Sequence, residues 1–232
     1  MKTKVLITGG TKGIGLATVK LFVKNNFEVY AVGRDFSMST FPKNYHPVIF
    51  DLSHIEAISE LYKKIGDIEI LINNAGIMNT LPYDHYPSSK KNLILRINLE
   101  APLELIKVFS QGMIQQGHGR IVNTASIAGH IGHPDIWYGI TKAGIINVTK
   151  SFAQILGPKG IIINAVAPGP TDTDMLHTKI PKERIKNLKK ASVLGRIAKP
   201  EEIAQTIYWL ATKSPNYING ICLDINNGAY MR

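Results

Sequence analysis

Short apolar, β-branched runs alternate along the chain with longer stretches of helical period. The alternation predicts strands at residues 4–8, 28–32, 47–51, 69–72, 120–124, 161–166 and 221–225. Between them, the spacing predicts helices near 13–24, 55–64, 88–115, 136–156 and 201–211. Strand and helix signals in strict turn imply an α/β fold, a parallel sheet covered on both faces. The nearly continuous run Ile161-Ile162-Ile163-Asn164-Ala165-Val166 suits a strand buried on both sides. Pro200 suits the first turn of the last long helix, and Glu201 and Glu202 suit its positive end. Two segments break the pattern. Residues 170–198 are expected to form a loop-and-helix lid, and residues 34–45 carry too little helix signal for a full helix. No internal repeat or linker is visible, so 1–232 reads as one domain.

The first predicted strand runs into Gly9-Gly10-Thr11-Lys12-Gly13-Ile14-Gly15 and then into a helical pattern. Strand, glycine-rich turn and helix N-terminus in that order form a cradle for a pyrophosphate, whose oxygens meet backbone N–H groups. The spacing is GxxxGxG, not the GxGxxG of the common dinucleotide fingerprint. Further on, Tyr138 and Lys142 stand one helical turn apart, with Ser126 twelve residues upstream in a strand-like stretch. A free tyrosine has a pKa of about 10, and moving it by roughly three units takes about 4 kcal/mol. A cation about 4 Å away supplies energy of that order at an effective dielectric near 20. Ser126 is then placed to hold a carbonyl or alcohol oxygen whose proton Tyr138 gives or takes.

These residues resemble the short-chain dehydrogenase/reductase family, over nearly the whole chain and in the family's order. Thr8-Gly9 through Gly13-Ile14-Gly15 resembles TGxxxGIG, Asp51-Leu52 the adenine-side pair, and Asn73-Asn74-Ala75-Gly76 the NNAG after the fourth strand. Asn98 resembles the relay asparagine, Ser126 the family serine, and Tyr138 with Lys142 the YxxxK pair. Pro168-Gly169 with Thr171 and Thr173 is similar to the segment that lies against the nicotinamide. The resemblance implies a doubly wound Rossmann-type sheet of about seven strands in the order 3-2-1-4-5-6-7. It implies Asn98, Ser126, Tyr138 and Lys142 as the catalytic set, with Lys142 lowering the tyrosine pKa and holding the ribose. For the cofactor it implies Gly9, Thr11, Lys12, Gly13, Ile14, Gly15, Arg34, Asp51, Leu52, Asn74, Ala75, Gly76, Pro168, Gly169, Thr171 and Thr173, beside Tyr138 and Lys142. It also implies a homo-oligomer, a tetramer of paired dimers. Phe152, Ile155 and Leu156 form an apolar cluster that a monomer would partly expose.

Gly33 stands where NAD-preferring members carry a ribose-binding acid, and Arg34 follows it. Losing a carboxylate and gaining a guanidinium favours a 2′-phosphate, so NADP(H) is expected over NAD(H), with Lys12 a second contact. The competing ribose acid is Asp35.

Composition narrows the rest. The net charge of +10 would permit a polyanionic partner, yet the basic residues are spread and no nucleic-acid motif appears. Their densest group is Lys179, Lys182, Arg184, Lys186, Lys189 and Lys190. No stretch approaches a spanning helix, and the first residues read as a strand rather than a secretory signal. Cys222, the single cysteine, rules out an internal disulfide, is expected to be an apolar filler, and fits a cytoplasmic setting. No metal is expected. His130 and His133, between Ser126 and Tyr138, are expected on a surface loop.

The first functional expectation is a reductase of carbonyls, most similar to 3-oxoacyl-acyl-carrier-protein reductases through Leu194-Gly195-Arg196 and Pro200-Glu201-Glu202-Ile203. Those reductases carry a basic residue where Gly117 stands, while Lys159 keeps a second one. A dehydrogenase of sugars, polyols or other small alcohols is the alternative. A cofactor-binding regulator without turnover is a third, which would need only the nucleotide half of these residues.

Overall fold

The computed structural model describes residues 2–36 and 42–231. Strands β1 (Lys4–Thr8), β2 (Glu28–Gly33), β3 (Tyr45–Ile49), β4 (Ile70–Asn73), β5 (Gly119–Thr124), β6 (Ile161–Pro168) and β7 (Cys222–Ile225) pair in parallel, in the order β3-β2-β1-β4-β5-β6-β7. The helices are α1 (Gly13–Lys24), α2 (Ile58–Ile65), α3 (Ser88–Leu95), α4 (Ala101–Gln116), α5 (Ile136–Leu156), α6 (Asp174–Lys179), α7 (Lys182–Ala191) and α8 (Pro200–Thr212).

Successive strand residues point to opposite faces, so each central strand feeds two cores. Leu6, Leu71, Ile121 and Ile163 pack with Leu61 of α2, Phe109 of α4 and Leu156 of α5. Val5, Ile7, Ile72 and Val122 pack with Phe22 of α1 and Ile203, Ile207 and Leu210 of α8. That two-sided burial is why these strands read as nearly unbroken apolar runs.

Two differences from expectation bear on the site. The third strand begins two residues earlier than predicted, with Tyr45 opposite Val29 and Ile49 opposite Gly33. It contains Pro47, which is tolerated because β3 is an edge strand. Asp51 consequently falls just past the strand end. The long helix predicted over 88–115 is two helices joined by a π-helical turn, Arg96–Glu100, with Asn98 at its centre. The helix expected to be reduced between β2 and β3 falls partly on residues 37–41, outside the described residues.

The chain order reverses between β1 and β4, so the connections leaving their carboxyl ends diverge and open a crevice there. A buried polar ladder fixes its floor. Asn73 Nδ2 donates to Asn123 Oδ1 at 2.9 Å, and Asn123 Nδ2 donates to Thr149 Oγ1 of α5 at 3.0 Å.

Candidate active site

The crevice continues into a cleft of about 390 Å³ over the carboxyl ends of the strands. One half is built from the glycine turn and the β4 end. Thr8 Oγ1 accepts from the N–H groups of Asn74 and Ala75 at 3.0 and 3.1 Å, and Asn74 Nδ2 donates to Thr8 O at 3.1 Å. These bonds clamp the two loops together. Gly15 lies at the clamp: a Cβ there would sit 2.0 Å from Gly9 O and 2.6 Å from Asn74 Nδ2. The first turn of α1 thus comes as close to the β1 end as backbone allows, which leaves room for a pyrophosphate above it. Gly9, Thr11, Lys12, Gly13, Ile14, Arg34, Asp51, Leu52, Asn74, Ala75 and Gly76 all line this half, as does Gly15. A nicotinamide dinucleotide fits this cradle.

In the other half, Ser126 caps a short turn, its Oγ accepting from Ala128 N at 3.1 Å. Its hydroxyl also bonds the Tyr138 phenol, which favours ionisation, but burial dominates and pushes the tyrosine pKa up. Lys142, only 4% exposed, donates from Nζ to Thr124 O at 2.7 Å, with Nζ 5.7 Å from the Tyr138 ring centroid. Burial pulls its pKa down to about 8. In this cleft burial is the largest influence on Tyr138 and raises its pKa, and the influence that lowers it is the Ser126 hydrogen bond, not the Lys142 charge expected from the sequence.

Asn98 stands behind the cleft wall, not on it. Its Oδ1 accepts from Ile77 N at 2.8 Å, and its Nδ2 donates to Ile77 O at 2.9 Å and Thr141 Oγ1 at 3.2 Å. The π turn presents the side chain for this pair of hydrogen bonds, a helical irregularity of a kind frequent at functional sites. A Cβ on Gly76 would lie 3.5 Å from both Asn98 Oδ1 and Lys142 Nζ, so the two groups face one small space.

The short chain dehydrogenase family model matches residues 3–184. The chain belongs to the short-chain dehydrogenase family. It is 33% identical to a 3alpha-hydroxysteroid dehydrogenase of Mediterraneibacter gnavus, over 99% of this chain and 98% of that protein. It is 32% identical to the 3-oxoacyl-[acyl-carrier-protein] reductase FabG of Thermotoga maritima, over 96% of each. Among solved structures, 4-hydroxyisoleucine dehydrogenase complexed with NADH superposes with a TM-score of 0.93 at 28% identity, covering 98% of both chains. An ElxO variant with NADPH bound superposes with a TM-score of 0.89 at 31% identity, covering 99% of both. The protein is thus a short-chain dehydrogenase/reductase, an oxidoreductase of carbonyl or alcohol carbon that uses NAD(P)(H). Among the described residues, no helix is long and apolar enough to cross a membrane.

The dehydrogenase fold gathers the remaining sequence-expected residues in the same cleft: Pro168, Gly169, Thr171 and Thr173 line it beside Tyr138 and Lys142. Thr173 is also engaged structurally, its Oγ1 capping α6 through Leu176 N at 3.5 Å. Lys12 Nζ lies 3.4 Å from Asp174 of that helix, an exposed pair that ties the cleft's two rims only weakly.

Both histidines differ from the surface-loop expectation. His133 lines the cleft with its ring 5.1 Å from Tyr138, and burial lowers its pKa. His130 turns away, toward β7. Lys159 lies past the far end of α5 from Tyr138, more than 25 Å away by helix rise, so within one chain it does not flank the cleft mouth.

Asp135 was missed. Fully buried, it accepts from Asn79 N, Thr80 N and Tyr138 N at 2.8, 2.9 and 3.2 Å, and from the Tyr86 hydroxyl at 3.2 Å. It caps α5 and holds the β4–α3 loop against the turn that carries Tyr138. An aspartate directly before a helical pattern was the available signal. Also missed was the apolar end of the cleft, which Met78, Ile131, Leu176, Ile180 and Leu188 line with Arg184 among them.

Proposed function

We propose that this dehydrogenase reduces a ketone carbonyl at the expense of NADPH, with 3-oxoacyl thioesters on acyl carrier protein as the leading substrate class. The observation that carries the reading is the convergence of Tyr138, Ser126 and Lys142 on one cleft with the glycine turn. Bound in the cradle, the nicotinamide supplies the hydride. Ser126 orients the substrate oxygen by hydrogen bond, and Tyr138, kept protonated by burial, delivers its proton to that oxygen. Lys142 balances the charge that develops on the phenol, and Asn98, facing the lysine beside Gly76, supports reprotonation through water.

Several features support NADP(H). A side chain at Gly33 would meet the Thr11 methyl at 2.4 Å, so no acid fits there without moving the turn. Arg34 is exposed on the cleft rim, and Asp35 does not line the cleft. Asp51 nearby has its pKa lowered, chiefly by the Ser53 N–H bond at 2.9 Å and to a lesser degree by Arg34.

An apolar substrate end suits an acyl chain. The exposed Lys182, Lys186, Lys189 and Lys190 of α7 suit an acidic carrier at the cleft mouth.

Tyr138→Phe tests the chemistry. It should keep NADPH affinity within about twofold and lower kcat by more than ~100-fold, in line with loss of a general acid. Retention of a tenth of kcat, with chemistry rate-limiting, would remove the tyrosine from its role. Substrate class is tested by salt. Raising ionic strength from about 0.01 M to 0.15 M shortens the Debye length from roughly 30 to 8 Å, so kcat/KM for a carrier-linked substrate should fall severalfold. A short uncharged ketone should change little. Equal responses would move a small-alcohol dehydrogenase ahead.

A further inference from the structure

Outside the residues that line the cleft, three potential donors from separate parts of the sequence meet. His130 Nε2 lies 3.2 Å from Asp224 Oδ1 and 3.8 Å from Cys222 Sγ, and all three ligand atoms lie within 4.8 Å of one another. His130 is held in place by Tyr230, whose ring stacks on it at 5.7 Å and 16°. Cys222 is buried, and the side chains of His130 and Asp224 are 10% and 23% exposed, so the cluster is enclosed with one solvent-facing side.

Both contacts fall on the same ring nitrogen, and that decides among the readings. An imidazole nitrogen carries either one hydrogen or one lone pair. A nucleophilic thiol–imidazole–carboxylate relay needs the thiol on one nitrogen and the carboxylate on the other, so this arrangement is not such a relay. A single cation at the centre satisfies all three atoms at once. With bonds of about 2.3 Å to sulfur and about 2.0–2.2 Å to nitrogen and oxygen, a tetrahedral zinc ion sets its ligand atoms about 3.3–3.6 Å apart. The two distances to His130 Nε2 lie close to those edges, and the third pair lies within 4.8 Å. The donor set also suits zinc: a thiolate and an imidazole select it over the hard alkaline-earth ions, and a carboxylate completes a three-ligand site with a fourth position open to water.

We propose that His130, Cys222 and Asp224 form a zinc-binding site, separate from the chemistry, that ties the turn following Ser126 to β7. It requires no step of the redox reaction and does not depend on which substrate the cleft takes. The sequence hid it, because Cys222 and Asp224 lie some ninety residues from His130 and converge only through the β6–β7 pairing.

The chain carries a single cysteine, which makes the test specific. Full-length protein stripped with a chelator is titrated with Co²⁺ alone. A thiolate-to-cobalt charge-transfer band in the near ultraviolet, with tetrahedral visible bands saturating at one equivalent, is expected, and Zn²⁺ should displace both. Any such band arises from Cys222. Cys222→Ser should lose the charge-transfer band, and His130→Ala and Asp224→Asn should each weaken binding at least tenfold, while NADPH affinity stays unchanged. Zinc should raise the melting temperature of the wild type and not of Cys222→Ser. Absence of the charge-transfer band in the wild type would overturn the proposal even if a variant failed to fold. Equal affinity in Cys222→Ser would do the same, leaving a hydrogen-bonded cluster.

Discussion

Lys142 offers the most direct physical test of the site, because its environment makes a quantitative statement about stability. Burial lowers its pKa from an ordinary 10.5 to about 8. Between those values the unfolded chain holds a proton that the native chain has released, so this residue's contribution makes the fold more stable as pH rises. Below about 8 both states are charged, and the native state carries the full cost of a desolvated ammonium. Integrating the linkage from pH 7 to 9.5 gives about 2 kcal/mol, most of it above pH 8. Lys142→Met keeps a similar volume and removes the titration. The stability of the variant minus that of the wild type should therefore fall by about 2 kcal/mol across that range. Urea unfolding of both proteins at pH 7, 8, 9 and 9.5 reads this directly, and the other titrating groups cancel in the difference. A flat difference would mean that Nζ is hydrated through the cleft and not desolvated. The bond to Thr124 O would then be a surface contact, and the argument from burial would fail.

Other changes probe separate parts of the molecule. Gly15→Ala places a methyl against Gly9 O and Asn74 Nδ2, so NADPH affinity by fluorescence titration should drop more than tenfold, with a loss of about 1–3 kcal/mol of stability. An unchanged affinity would mean that the turn does not hold the phosphates. Arg34→Ala should raise the Kd for NADPH about tenfold or more and leave NADH within about twofold, the loss of one charge-assisted phosphate contact; equal effects on both would return the ribose role to Asp35. Oligomerisation is expected through α5, where Ile140 and Ile155 are 48% and 57% exposed. Ile155→Lys should lower the mass seen by light scattering at micromolar concentration, and a monomeric wild type would refute that interface.

Local pattern carried most of the fold. Helices α1 and α5 occupy the predicted residues 13–24 and 136–156, because each has an unbroken period and a clear stop. The π turn at Asn98 has no such signal, since the apolar period runs through it. The turn is matched by the Ile77 backbone, in the loop after β4, which takes both ends of the Asn98 amide. Pro47 hid the start of β3, because proline argues against a strand unless the strand lies at an edge, and edge position is a property of the whole sheet. The apolar cluster read at the end of α5 proved mixed: Leu156 is buried in the chain's own core and Phe152 packs against it, so Ile155 alone of the three is broadly exposed. The residues that form the glycine turn and the YxxxK pair were legible because spacing within one loop or one helix fixes them. Leu176, Ile180 and Leu188 were not, since the lid's lysines dominated its pattern and only tertiary contact turns its apolar side inward.

The two central pKa shifts also bear on direction. Burial raises Tyr138 and lowers Lys142, so each shift alone favours the neutral form. The consequences differ at neutral pH. A phenol whose pKa is raised stays protonated and is ready to donate. A lysine with a pKa of about 8 remains mostly charged at pH 7, able to stabilise the phenolate left after donation. This resting state, a protonated phenol beside a cation, is the one that carbonyl reduction needs. Alcohol oxidation needs the phenolate first, and burial opposes forming it. With the roles proposed for Tyr138 and Lys142, the reducing direction should therefore start from the resting state near neutrality, and oxidation should gain as rising pH strips the phenol. Above about 8 that gain is offset as Lys142 loses the charge that would stabilise the phenolate. The protonated resting phenol thus follows from desolvation within this cleft.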